Sequence, residues 1–533
     1  MTSFYKRVAF GLAMASSALY LTGCEYSHSE SDISDQSMNP WFIDGEGSVQ
    51  DKLVHLPIDH KGKAKNVILV VGDGMGISTV TAARILQGQL KGESGEENFL
   101  SFEMFPFSGL SKTYNTDQQT PDSAGTMTAM MTGVKTDAGV INYSEQVERG
   151  KCPTQEGFGL MSALELAEIA GKSTGIVTTA RVTHATPAAT YARSPERGWE
   201  SDHKIPKSES QLGCEDIASQ LINFEDRLKE RVDHAEKTDG IEVVMGGGRR
   251  HFLPADRQFN IEAEAGAIEG KRVDGRHLIN EWKEKYPKGA VANSLAEFNQ
   301  INSAQVEKIL GLFNPAHMRY EADRKNDVLG EPSLKEMSMK ALDVLQKNED
   351  GFFLMVEAGR IDHGHHAGNA YNALHDTIML SDTVQAIKNR VNLDETLIIV
   401  TADHSHVFTI AGYPKRGNPI LGKVVGTGSD EPKLAADGKP YTTLGYMNGQ
   451  GFAHYGDETD ANAHDHMDVG RKDISNVNTQ SPGYHQEALI PRSSETHGGE
   501  DVGIYAVGPG AHLVTGVNEQ NVIFHIMHYA AQW

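Results

Sequence analysis

The feature that most constrains this chain is a series of short, largely apolar runs separated by longer amphipathic stretches. The runs lie at residues 67–71, 175–179, 241–245, 352–356, 397–401 and 502–507. Runs of this length suit strands buried on both faces better than helices. Between them, residues 160–170, 334–347 and 372–391 repeat apolar positions at helical spacing. Strands alternating with helices predict an α/β fold, a large and mainly parallel central sheet with helices on both faces. In such sheets chemistry gathers beyond the carboxyl ends of the strands. Asp73, Glu357 and Asp403 each follow a run within two residues. The length of 533 residues suits one large domain of this kind with insertions, or two to three domains.

The N-terminus reads differently. Lys6 and Arg7 precede an apolar stretch, residues 8–21, too short to span a membrane, so residues 1–23 read as an export signal. The signal ends Leu21-Thr22-Gly23-Cys24, a bacterial lipobox pattern in which Cys24 would carry lipid. An ordinary cleaved signal with an incidental cysteine is the other reading. Glu25 is not the Asp that commonly signals inner-membrane retention, so a periplasmic or cell-surface protein anchored to the outer membrane is expected. Residues 24–50 are polar and read as a flexible tether, with the globular domain at 51–533.

Residues 413–492 are rich in Gly, Asn, Asp and Thr and read as an inserted subdomain, with a hairpin around residues 441–446. Its run DANAHDHMD, residues 460–468, reads as a solvated loop or a metal binder. Cys152 and Cys214 are the only other cysteines. In an exported protein an even pair suggests a disulfide, two buried thiols being the alternative. The net charge of −23 disfavours nucleic acid as a partner. A small anionic substrate remains admissible, because bound cations reverse the local field.

Residues 121–133, PDSAGTMTAMMTG, read as a buried helix with Ser123 at its N-terminus, where free N–H groups favour an anion. Asp and Ser are also preferred caps, and taken alone capping is the simpler role. A serine nucleophile needs activation, and no GxSxG elbow is present. Metals are the remaining means. In EAGRIDHGHH, Asp362 and His366 are four apart and share a face if the segment is helical. TADHSH supplies Asp403 and His404 after a strand, and SETHGGED supplies His497 before another. Each alone reads as a polar loop; together they are acids and imidazoles at several strand ends of one sheet.

Ligand type then sorts them. Asp362, His366 and His497 form the three-ligand pattern of a catalytic zinc with an open position. Asp73, Asp403 and His404 form a second such set, whose open position Ser123 can fill. Asp73, Thr186 and Glu357 offer only oxygen, which suits Mg2+. Two zinc ions about 4 Å apart can stabilise both the attacking and the leaving oxygen of an in-line phosphoryl displacement.

The motifs VGDGMG, PDSAGTMTAMMTG, VTTARVTHATP, FFLMVEAGRIDHGHH, TADHSHVF and ETHGGEDV, in this order, resemble alkaline phosphatases from about Lys65 to the C-terminus. His184 and His363 make the resemblance closer to the animal-type branch. It implies two Zn2+ and one Mg2+ per chain, with Asp73 shared by the second zinc and the magnesium, and Thr186 and Glu357 as the other magnesium ligands. It implies that Ser123 is the nucleophile and that Arg197, in SPERGW, holds two phosphate oxygens. Without it, Arg197 reads as a surface arginine. His184 and His363 match histidines standing near the magnesium and phosphate. Cys152 and Cys214 match a disulfide pair. Tyr413 resembles a tyrosine that crosses a dimer interface, so a homodimer with a crown-like insert is expected. Asn314 stands where a carboxylate ligand of a calcium ion would be, although Phe313 and Glu331 are compatible, and this puts calcium in doubt. The end HIMHYAAQW shows none of the glycolipid signal of animal members.

The activity implied is hydrolysis of phosphate monoesters with broad specificity, through a phosphoserine and with release of inorganic phosphate. A phosphodiesterase of the same superfamily usually has a Thr nucleophile and lacks the magnesium triad. An arylsulfatase needs a C/S-x-P-x-R-type motif, whereas AGT follows Ser123. A non-catalytic metal or phosphate binder has no use for a nucleophile.

Overall fold

The computed structural model describes residues 36–55, 62–262, 266–451, 453–454 and 471–533. Its spine is a ten-stranded sheet. In chain order the first eight strands are β1 (Asn66–Gly72), β2 (Phe107–Lys112), β3 (Ser173–Arg181), β4 (Val243–Gly247), β5 (Ala290–Ala292), β6 (Ile309–Leu312), β7 (Phe352–Ala358) and β8 (Thr396–Ala402). Val502–Val507 and Gly516–Glu519 complete it. The spatial order runs Gly516–Glu519, β2, Val502–Val507, β8, β1, β7, β3, β4, β6, β5. Neighbours are parallel except that Val502–Val507 runs antiparallel to both β2 and β8. All six apolar runs are strands of this sheet, as expected of an α/β fold.

β1 shows why the runs are unbroken. Val67, Leu69 and Val71 pack into the core on one face, and Ile68 and Val70 into the core on the other. Fully burying each such side chain is worth roughly 1.5–3 kcal/mol. Register does the rest. Val71 pairs with Glu357 of β7 on one side and Thr401 of β8 on the other. The three strands therefore finish level, and Asp73, Glu357 and Asp403 come out side by side. Glu357 lies inside β7, one residue before its end, rather than beyond it.

Helices cover both faces, among them Ala163–Ile169, Leu334–Leu345 and Ala370–Arg390, each overlapping one of the amphipathic stretches, the last starting two residues before its own. Leu334–Leu345 starts on a capping box, with Ser333 and Glu336 exchanging hydrogen bonds. Two expectations need correction. Of the residues assigned to a tether, 24–50, the last eleven are part of helix α1 (Pro40–His55). The cause is a pair of apolar residues seven apart, Phe42 and Val49, both buried. Phe42 packs on Phe524 and His525 of the C-terminal helix Val522–Ala531 at ring distances of 5.8 and 4.5 Å. The hairpin expected at residues 441–446 is instead one strand, Leu444–Gly449. It pairs antiparallel with Phe408–Ile410 and parallel with Ala488–Pro491, and Tyr441–Tyr446 lacks the Asn-Gly or Asp-Gly step of a tight hairpin. This small sheet is the frame of the inserted region.

Cys152 and Cys214 form the disulfide, with Cα atoms 5.8 Å apart. Cys24, the export signal and the run 460–468 lie outside the described residues. Among the described residues no helix is long and apolar enough to cross a membrane.

Candidate active site

The level ends of β1, β7 and β8 form the floor of the site. Gly74 turns the chain there with φ +71°, and a Cβ on it would lie 2.3 Å from His406 Nε2, so glycine is required twice over. The Gly74 and His404 N–H groups both donate to Asp403 Oδ1, each at 2.9 Å. Asp403 Oδ2 and both oxygens of Asp73 are buried without a hydrogen-bond partner. Glu357 accepts from Thr178 through one oxygen, while its other oxygen and Thr186 Oγ1 have no partner. Burial, then the neighbouring Asp403, Asp362 and Glu357, hold the Asp73 carboxyl well above the usual range. Burial likewise raises Asp403, and pushes Glu357 up to about 8. Crowded acids and donorless oxygens in one buried place fit hard cations.

An imidazole-rich group adjoins this one. The helix Arg360–His366 places Asp362 and His366 one turn apart. Asp362 Oδ1 lies 3.1 Å from His366 Nε2, 3.4 Å from His497 Nε2 and 2.9 Å from His406 Nε2. His366 Nδ1 and His497 Nδ1 each sit 2.7 Å from a backbone carbonyl oxygen, of Glu495 and Pro121 respectively. A carbonyl only accepts, so each Nδ1 carries a proton and Nε2 is the atom each ring turns toward Asp362, where a cation would displace any proton on it. Those two Nε2 atoms are 3.0 Å apart. Ligand atoms of one cation converge in this way. Burial raises the Asp362 carboxyl, but the facing His366, His406 and His497 outweigh it and hold it well below the usual range.

Helix α2 (Ile77–Leu90) follows the Gly74 turn, and α3 (Ser123–Thr132) brings in the serine. Asp122 is the cap, accepting the Gly125 N–H at 3.1 Å, so the hydroxyl of Ser123 is free of that duty. Ser123 Oγ lies 3.2 Å from His404 Nε2. His404 Nε2 is itself 3.2 Å from Asp403 Oδ2 and 3.5 Å from Asp73 Oδ1. Arg197 Nη1 donates to Asp122 Oδ2 at 2.9 Å, and its Nη2 lies 3.1 Å from His184 Nε2. His184 and His363 face each other at a ring distance of 5.6 Å.

All the residues expected at the centre are thus brought together, with four more. His406 is buried between Asp362 and Glu495; burial lowers its pKa, but Glu495 and Asp362 raise it to about 10. The signal was present in TADHSH: two residues after His404, the strand Ser405–His406 pairs with His497–Gly498 and sets His406 opposite His497. Glu495 accepts from the Val407 N–H at 2.9 Å. Asp122 reads in sequence only as a cap. His317 packs against His363 at a ring distance of 4.0 Å and against His184 at 5.3 Å, and nothing in its spacing announces this. Asn314 donates from Nδ2 to Glu331 Oε1 at 2.8 Å and to Asp327 Oδ2 at 3.4 Å. Its amide therefore answers the carboxylates around it. Tyr413 stands 89% exposed.

The sequence and fold match known proteins throughout. The family model for alkaline phosphatase covers residues 64–533. The tissue-nonspecific alkaline phosphatase of Gallus gallus is 44% identical over 496 residues, 92% of this chain and 89% of that protein. The alkaline phosphatase of Gadus morhua is 42% identical over 90% of this chain and 94% of its own. In structure, the Thermus thermophilus alkaline phosphatase superposes with a TM-score of 0.59 at 24% identity, covering 89% of this chain and 92% of that one. The enzyme of the Antarctic bacterium TAB5 gives 0.57 at 21% identity, covering 89% and 99%. This chain belongs to the alkaline phosphatase family, and it is an enzyme of that kind.

Proposed function

We propose that the chain hydrolyses phosphate monoesters through a covalent phosphoserine at Ser123. The observation that carries this reading is the Ser123 hydroxyl, released from capping by Asp122 and 3.2 Å from His404 Nε2 at the mouth of two ligand groups. Asp362, His366 and His497 would hold one zinc. Asp73, Asp403 and His404 would hold a second beside Ser123, and Asp73, Thr186 and Glu357 a magnesium. Bound there, these ions supply Lewis acidity at both ends of an in-line displacement and positive charge around the phosphate.

The chain's own residues do the rest. Arg197, braced by Asp122, presents its guanidinium to two phosphate oxygens, the planar fork matching their spacing. The α3 N-terminus adds partial positive charge behind Ser123. Ser123 Oγ loses its proton and bonds to phosphorus as the ester P–O bond breaks, and the departing alcohol oxygen takes the electron pair and a proton. Water then bonds to phosphorus from the side the alcohol left. The P–O bond to Ser123 breaks, its oxygen regains a proton, and inorganic phosphate leaves. His184, 3.1 Å from Arg197 Nη2, helps fix that arginine, and His363 faces His184 beside it.

The exposed Tyr413 supports a homodimer in which it reaches a second copy. The Leu21–Cys24 sequence supports export and a lipid on Cys24. Asn314, already donating to Glu331, supports a chain without calcium at that place.

Ser123→Ala tests the reading. Acid-quenched single turnovers with a radioactive monoester should label wild-type protein and leave the variant unlabelled with its metals retained; label at the wild-type level would remove Ser123 from the mechanism. Turnover of a chromogenic monoester against the matching diester and sulfate separates the phosphodiesterase, sulfatase and non-catalytic readings.

A further inference from the structure

A cavity of about 570 Å3 opens beside the imidazole group, lined by His366 and His363 together with Arg360, Arg319, Tyr320 and His317. This lining includes two arginines in a chain whose net charge is −23. Arg360 is only 8% exposed, its guanidinium lies 3.7 Å over the Tyr320 ring, and its Nε has no hydrogen-bond partner. A buried cation with an unused donor is costly unless an anion meets it. Asp376 near it offers little compensation, because burial pushes that carboxyl up to about 8. Arg319 is more open, with Asp327 3.7 Å from its Nε. Asp323 and Glu262 also line the cavity; Glu262 is paired with Arg249 at 2.8 Å, whereas Asp323 accepts only from the neutral Asn326 amide at 3.3 Å and keeps its charge, so the positive character is confined to Arg360 and Arg319.

We propose that this cavity receives the alcohol half of the substrate, and that Arg360 and Arg319 select monoesters whose alcohol bears a second anionic group, a carboxylate or a further phosphate. The inference rests on the phosphomonoesterase reading, which puts the leaving alcohol on the Asp362, His366 and His497 side of the phosphorus, and His366 of that group lines the cavity. His317 in this lining is itself held by the Arg181 side chain against its Nε2.

The test compares phenyl phosphate with 4-carboxyphenyl phosphate, which differ only in the distal carboxylate, using the full-length metal-loaded enzyme. The wild type should favour the carboxylated ester in kcat/KM. Arg360→Gln and Arg319→Gln should each reduce the ratio of the two kcat/KM values by about tenfold, chiefly through KM, the worth of one charge-assisted hydrogen bond. Arg319 is exposed, so its variant keeps the test sound if Arg360→Gln does not fold. A wild type with no preference, or variants that leave the ratio unchanged, overturns the proposal. Absence of wild-type turnover on both esters overturns the phosphomonoesterase reading, and this inference with it.

Discussion

Asp362 and Asp73 are buried aspartates facing one centre, yet their surroundings drive them apart. Asp362 is met by three imidazoles and held as a carboxylate. Asp73 is met by other acids and held toward its neutral form. The first group balances much of its own charge before any ion arrives; the second does not. A protein can therefore pre-organise one metal position by ion pairing and leave its neighbour dependent on the ion. The two positions should respond differently to mutation, to chelation and to pH.

The comparison breaks most sharply at Asp362. Asp362→Ala or His497→Ala should lower activity by orders of magnitude and zinc content by about one ion per chain, as measured by metal analysis after gel filtration. Unchanged zinc in both variants would refute the ligand set. His406→Gln removes a neighbour of Asp362 rather than a proposed ligand. Zinc affinity in competition with a chelator should fall roughly 10–100-fold, the usual cost of losing a partner of a ligand.

The smallest effect, and the most discriminating, is on stability. Glu357 sits near 8 in the fold against an ordinary 4.5, so the folded metal-free chain holds that proton more tightly than the unfolded one. Its contribution is fully present below about 4.5 and is lost as pH rises through 8. The Tm of metal-free protein should therefore fall between about pH 5 and 8, metal-loaded protein should escape this fall, and Glu357→Gln should flatten it. Asp362 works the other way, since its depressed value gives stability above the ordinary carboxylate range that is lost on acidification. A calorimetric Tm that rises with pH in the metal-free chain over that window would contradict the assignment of Glu357 to the self-repelling group.

The strands were legible because burial on both faces leaves only apolar side chains, as in Val67 to Val71. The ligands were legible because a chain leaving a strand must put its acids at the strand's end. His317 was not, because it reaches His363 across long-range packing that leaves no periodicity. His406 lay in plain view in TADHSH, but its role depends on the two-residue pairing with His497, which propensity does not encode. Helix α1 was misread because its apolar face is thin and its polar residues dominate the count.

That same helix sets a timetable for the molecule. Asn521 donates from Nδ2 to the carbonyl of Trp41, 480 residues away in the chain, and Phe42 rests on Phe524 and His525. Although α1 is synthesised early, its docking partners lie among the last residues of the chain. At ribosomal rates of about 5–20 residues per second, that is a wait on the order of a minute, during which Phe42 and Val49 have no C-terminal helix to cover them. Seating α1 is thus a closing event of folding, and a chain cut short before residue 522 would carry that apolar face uncovered.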